Sequence, residues 1–228
     1  MRYVVPVPPV AAVPVLGDDA LFPVHRIYCV GRNYADHAKE MGAEVNRTKP
    51  TFFSKPADAV LTGDADLPYP SATNDLHHEV EMVVALHSGG RDIALDDALS
   101  HVYGYAVGLD LTRRDLQAEA KEKRLPWDVA KGFDRSAPIS AIRAIGTNAH
   151  PANAMLSLVV NGAERQRSDV SEMIFNVAEI IHELSKLYEL TAGDLIFTGT
   201  PAGVAALVRG DSYVATLDGI AQLRGRVI

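Results

Sequence analysis

The sequence predicts a β-rich α+β fold, on three observations. Strand-like apolar runs outnumber helical ones and alternate with them only occasionally, which argues against a Rossmann or barrel architecture. Those runs are short and bounded by Gly, Pro, Asn and Asp turns. One stretch alone carries a clear helical stripe: Met173, Ile174, Val177, Ile180, Ile181, Leu184, Leu187 and Tyr188 recur at helical spacing. At 228 residues, 47% hydrophobic and 22% charged, the chain can bury a substantial core, and no repeat or low-complexity linker divides it.

In chain order, residues 1–23 read as an extended or polyproline-like arm packing on the domain that follows over 24–228. Pro6, Pro8, Pro9 and Pro14 prevent a helical signal core there. "RIYCVG" is a strand, and "NYADHAKEMG" a short helix stopped by Gly42. Residues 43–50 are loop-like, "TFFSK" is a strand, and 56–70 is rich in Pro, Gly and Asp. "EVEMVVAL" and "YGYAVGLD" are further strands, and "TRRDLQAEAKEKR" is a charged helix ending before Pro126. "LSLVVNGAERQ" is a hairpin turning at Asn161-Gly162. From "GDLIFTG" to "GRVI" the chain reads as short strands with Gly and Asp turns.

The 22 basic against 29 acidic residues give a net charge of −7, which disfavours nucleic acid or an anionic membrane as partner. Cys29 is alone, so no disulfide can form within the chain, and a reducing, cytoplasmic setting is expected. No apolar run approaches the roughly 18 residues of a membrane helix.

The chemistry-bearing residues begin with an oddity. Glu79 and Glu81 sit two apart in an otherwise apolar strand, so both carboxylates point to one face. Like charges there repel, and burial of an unpaired carboxylate is costly. Either they line a solvated face while Asp110 caps the helix beginning near Thr112, or the three converge on a divalent cation. His37 and Glu40, three apart on the short helix, share a face, and Glu40 can orient the imidazole; the alternative is a surface salt bridge. Lys131, in "AKGF", stands outside any charge run and can counter developing negative charge; the alternative is a solvated lysine. "TGTPAG" places Gly199 and Thr200 just after an apolar strand, where backbone N–H groups and a hydroxyl suit a carboxylate, unless this is a plain turn. Arg32, after "CVG", and Lys55, in "SKP", are further candidates for facing a substrate.

"CVGRNYADHAKEMG", "KPADAV", "DLHHEVEMVVAL", "GYAVGLDLTRRDLQ", "PWDVAKGFDRSAPI" and "GDLIFTGTPAGV" follow one another in this order. From about Val24 onward the chain thereby resembles the fumarylacetoacetate hydrolase superfamily, in particular its short bacterial members and the acylpyruvases. "KGFDRSAP" and "LDLTRRDLQ" are similar to fumarylpyruvate-cleaving members of gentisate degradation. The resemblance implies the mixed β-sandwich roll of the superfamily's C-terminal domain and a homodimer. It implies Glu79, Glu81 and Asp110 as ligands of Mg²⁺ or Mn²⁺, and hydrolysis of the carbon–carbon bond of a 2,4-dioxo acid, fumarylpyruvate giving fumarate and pyruvate. His37 and Glu40 would then activate water, Lys131 and Gln117 would act at the reacting centre, and Gly199 and Thr200 would hold the pyruvoyl end. A fumaryl tail needs a cation for its distal carboxylate, with Arg47 and Arg135 as candidates. The same metal site would serve an oxaloacetate decarboxylase or tautomerase, or a non-catalytic binder of dicarboxylates. One departure is Ala205, where many relatives continue "GTPAGV" with glycine.

Overall fold

A computed structural model describes every residue except Met1, Ala43, Asn46 and Thr147, so two positions of the 43–50 loop reading lie outside the described residues. Its centre is a six-stranded mixed sheet in the order Arg143–Ala144, Val102–Leu109, Val80–Leu86, Leu195–Phe197, Ile27–Gly31, Thr51–Lys55. A four-stranded antiparallel sheet, built from Met155–Val160, Ala163–Asp169, Ser212–Leu217 and Ala221–Arg226, packs against one face of it. Strands dominate and helices are few, so the architecture is the β-rich α+β fold that the sequence predicts.

The strand Val80–Leu86 explains its own sequence. Val80, Met82, Val84 and Leu86 enter the core shared with the four-stranded sheet, whereas Val83 and Ala85 enter a second core on the opposite face. A strand buried on both faces needs a continuous apolar run rather than alternation. The second core also receives Val13, Val15 and Phe22, from a small hairpin pairing Ala12–Pro14 with Leu21–Pro23. Residues 2–10 are exposed.

The Met155–Asp169 hairpin turns at Asn161-Gly162, both with positive φ (51° and 78°), the conformation a two-residue hairpin turn of this type demands. Two helices are shorter than their sequence patterns. Thr112 and Arg113 form a strand pair with Leu76–His77, and the charged helix spans Arg114–Lys123. The apolar stripe contains a helix only over Val177–Ser185. Asn176 caps it, accepting the Glu179 N–H while the Glu179 carboxylate accepts the Asn176 N–H, which fixes its start. Met173 and Ile174 are buried ahead of this helix, just after a 3₁₀ turn at Val170–Glu172, and Leu187 and Tyr188 lie exposed beyond it. Among the described residues no helix is long and apolar enough to cross a membrane.

Candidate active site

Strand register brings the three acidic residues together. Val102–Leu109 runs antiparallel to Val80–Leu86 with Val80 opposite Leu109 and Glu81 opposite Gly108. One step further, the Asp110 N–H donates to the Glu79 carbonyl at 2.9 Å, so Asp110 lies beside the glutamates. Gly108 is required by its surroundings: a Cβ there would lie 2.7 Å from the Phe197 ring and 2.9 Å from the Pro138 carbonyl oxygen. On the other side of Val80–Leu86, Phe197 pairs with Val83 and the chain continues as Thr198-Gly199-Thr200. Gly199, at φ +99°, donates its N–H to Glu81 Oε2 at 2.7 Å.

Glu79, Glu81 and Asp110 are all buried, and one oxygen from each lies within 4.8 Å of the others. The solvated-face alternative is thereby excluded, and so is a capping role for Asp110, since the helix begins four residues later. Three cations surround the group. Arg114 Nη2 donates to Glu79 Oε1 at 2.5 Å. Lys131 Nζ donates to Glu79 Oε2 at 2.8 Å, to Asp110 Oδ2 at 2.7 Å and to Thr112 Oγ1 at 2.7 Å. Lys55 Nζ lies 2.8 Å from Asp110 Oδ1.

Compensation is uneven. Burial alone would raise the pKa of Glu79, but Lys131 and Arg114 outweigh it and hold the carboxyl well below its ordinary range. Burial pushes Glu81 well above that range, and Asp110 and Glu79 push it further, against the Gly199 N–H. Burial would likewise lower Lys131, yet Asp110 and Glu79 raise it, so it stays charged. The buried Glu79, Glu81 and Asp110 oxygens therefore form a hard donor set with an under-compensated carboxylate at Glu81, which fits a divalent cation such as Mg²⁺ or Mn²⁺.

One cavity is lined by these three residues together with His37, Arg114, Gln117, Lys131 and Thr200. Arg32 and Lys121 line it too. His37 is buried, with Nδ1 3.3 Å from Glu40 Oε2. Burial lowers its pKa below the usual histidine value, although Glu79 and Glu40 pull the other way. The ring is thus neutral near pH 7, and donation from Nδ1 to Glu40 leaves the lone pair on Nε2. Glu40 is held in turn by the Gly203 N–H, at 3.1 and 3.2 Å from its two oxygens. Gln117 is buried and accepts from Arg114 Nη1 at 2.6 Å.

Several sequence readings need correction. Lys55 does not line the cavity; besides its ion pair with Asp110, its ammonium donates to the Leu111 carbonyl at 3.1 Å and to the Lys131 carbonyl. The Gly199 N–H is committed to Glu81 rather than open to a substrate carboxylate. Thr200 does line the cavity, with its hydroxyl donating to the Val80 carbonyl and accepting from Gln166. Lys131, read as acting at the reacting centre, is buried and lines the cavity, so only its solvated alternative falls away. Arg47 and Arg135 are exposed and do not line the cavity. The sequence reading missed Arg114, whose signal was its place three residues before Gln117 on one helix face. It also missed Gln166, which the sequence pattern marks only as a strand residue.

Comparison with known proteins agrees with this geometry. The family described as fumarylacetoacetate (FAA) hydrolase C-terminal matches residues 26–228. The crystal structure of fumarylpyruvate hydrolase from Pseudomonas aeruginosa, in complex with Mn²⁺ and pyruvate, superposes with a TM-score of 0.97 at 47% identity, covering 100% of this chain and 99% of that one. A mitochondrial oxaloacetate tautomerase of Rattus norvegicus is 43% identical over 201 residues, 88% of this chain and 90% of the relative. An oxaloacetate tautomerase of Escherichia coli (strain K12) is 41% identical over 199 residues, 87% and 90% of the two chains.

Proposed function

This chain belongs to the fumarylacetoacetate hydrolase family, and from that premise we propose that it hydrolyses an acylpyruvate, with fumarylpyruvate as substrate and fumarate and pyruvate as products. The observation that carries the reading is a neutral, Glu40-oriented imidazole in the same cavity as a buried three-carboxylate group. Hydrolysis needs both parts: a base that takes a proton from water, and an electrophilic centre for the departing carbanion.

Water adds to the 4-oxo carbon as its proton passes to His37 Nε2, and Glu40 stabilises the imidazolium that results. The bond between carbons 3 and 4 then breaks. Its electron pair moves onto the 2-oxo oxygen, so pyruvate departs as an enolate and carbon 3 is protonated afterwards. A divalent cation held by Glu79, Glu81 and Asp110 would supply Lewis acidity for the departing enolate. Lys131 and Arg114 hold Glu79 ionised for that cation, and they add fixed positive charge where the enolate forms. Gln117, fixed by Arg114, offers an amide to water or substrate.

A second reading, oxaloacetate keto–enol conversion, is favoured by the identity to the rat and E. coli tautomerases. That reaction moves a proton and adds no water, so it needs no base aimed at an acyl carbon. A coupled pyruvate assay with added Mg²⁺ across fumarylpyruvate, maleylpyruvate and acetylpyruvate, together with the ultraviolet absorbance of the oxaloacetate enol, tests the two. Pyruvate release from an acylpyruvate supports hydrolysis. Enol conversion of oxaloacetate without acylpyruvate cleavage overturns it.

A further inference from the structure

Two of the cations lining the cavity make no ion pair with its carboxylates. Four cations line it: Arg32, Arg114, Lys121 and Lys131. Arg114 and Lys131 are bound to Glu79 and Asp110, whereas neither Arg32 nor Lys121 has an acidic partner among the described residues. Arg114, Gln117 and Lys121 stand at spacings of three and four on the helix Arg114–Lys123, so they form one stripe along the cavity wall. Arg114 touches the metal-binding carboxylates at one end. Lys121 lies about 10 Å further along the axis, at about 1.5 Å per residue. Its ammonium stands 5.5 Å from the centre of the Trp127 ring, itself part of the cavity wall. Arg32 reaches the same cavity from a left-handed backbone (φ 60°), a conformation that costs energy in a non-glycine residue and that clusters at binding sites. Burial lowers the Lys121 pKa, and the like charges of Arg114 and Arg32 lower it further against the pull of Glu79, so the cations crowd one another at this end of the cavity.

We infer that Lys121, with Arg32 beside it and Trp127 as its floor, is the site that reads a second, distal carboxylate of the substrate. This rests on the acylpyruvate reading and deepens it to long diacids. An extended seven-carbon 2,4-dioxo diacid, with six bonds of about 1.5 Å, spans about 7–8 Å between its end carbons. Anchored at the Glu79 end, its far carboxylate comes within reach of a lysine side chain at position 121. A four-carbon diacid is too short, so oxaloacetate places no charge there. An acylpyruvate with an uncharged tail does not use the subsite either.

The test separates binding from turnover. Calorimetry on the Mg²⁺-loaded protein compares 2-oxoheptanedioate with 2-oxoheptanoate, which carry the same chelating head, lack the 4-oxo group needed for cleavage, and differ in the far carboxylate. The wild type should bind the diacid at least tenfold more tightly. Lys121→Met should erase that preference while leaving the monoacid affinity unchanged, which also shows that the variant is folded, and Lys121→Arg should retain most of it. Equal wild-type affinities, or a parallel loss for both acids in Lys121→Met, overturn the subsite. Fumarylpyruvate and acetylpyruvate turnover, measured alongside, judges the parent reading separately. A diacid preference lost in Lys121→Met without any acylpyruvate cleavage keeps the subsite and discards the hydrolase, whereas cleavage without a diacid preference does the reverse.

Discussion

Lys131 and a divalent cation answer the same electrostatic problem, so removing one should strengthen the response to the other. In Lys131→Met the ammonium that lies 2.7–2.8 Å from Asp110 and Glu79 is lost, with both carboxylates still buried. Breaking a buried ion pair from one side costs about 3–5 kcal/mol. At about 2–4 °C per kcal/mol for a chain of this size, the metal-free variant should melt about 6–20 °C below the wild type. Metal a hundredfold above its Kd adds about 2.7 kcal/mol to any form that binds it. The variant should gain more, because the departed lysine would repel the ion: a unit charge and a divalent charge about 4 Å apart interact by about 8 kcal/mol at an effective dielectric of 20. If about a sixth of that survives as affinity, Kd tightens about tenfold, which is about 1.4 kcal/mol and a further rise of about 3–6 °C at equal Mg²⁺. Differential scanning fluorimetry of both proteins with and without Mg²⁺ or Mn²⁺ measures this directly. A metal-induced shift in Lys131→Met no larger than in the wild type would refute the placement of the ion among these carboxylates.

Two other variants probe the base and the fold. His37→Ala should lower the acylpyruvate-cleaving kcat about 10²–10⁴-fold, with the metal-induced melting shift intact. The lowered His37 pKa means that its neutral form is lost only below the usual histidine range. The wild-type kcat/KM should accordingly be flat near pH 7 and fall on acidification with an apparent pKa below 6.5, and a profile still rising through pH 7 would remove His37 as the base. Asn176→Ala deletes the side-chain acceptor of the Glu179 N–H. Loss of such a cap costs about 0.5–2 kcal/mol, which should lower Tm by about 1–8 °C without changing kcat.

What the sequence made legible was what a residue's own neighbours determine. Glu79 and Glu81 stood out because a strand buried on both faces is otherwise apolar, and a charge in it has few solvated alternatives. Asn161-Gly162 announced its turn because few other pairs tolerate positive φ at both positions. The helical stripe was readable in type but not in extent. Met173 and Ile174 are buried for reasons of tertiary packing, so their spacing imitates a helix that Asn176 starts only later. Arg113 and Arg114 are alike in composition, yet the first stacks over the Phe133 ring at 4.4 Å and the second grips Glu79; the register of a two-residue strand pair with Leu76–His77 decides between them.

The corrected site residues share one physical cause. Lys55, Gly199 and Thr200 were each placed near the reacting centre by sequence, and each is near it, but their polar groups face inward: Lys55 to an ion pair with Asp110 and to the Leu111 and Lys131 carbonyls, the Gly199 N–H to Glu81, and the Thr200 hydroxyl to the Val80 carbonyl. A buried donor must find an acceptor, and the carboxylates and backbone carbonyls around this centre supply one. The donors of Lys55, Gly199 and the Thr200 hydroxyl are therefore already engaged within the protein. The cations left for a substrate are those one or two helical turns further out. On the Arg114–Lys123 helix this division is visible along a single stripe: Arg114 belongs to the carboxylates, Gln117 to Arg114, and Lys121 makes no ion pair among the described residues.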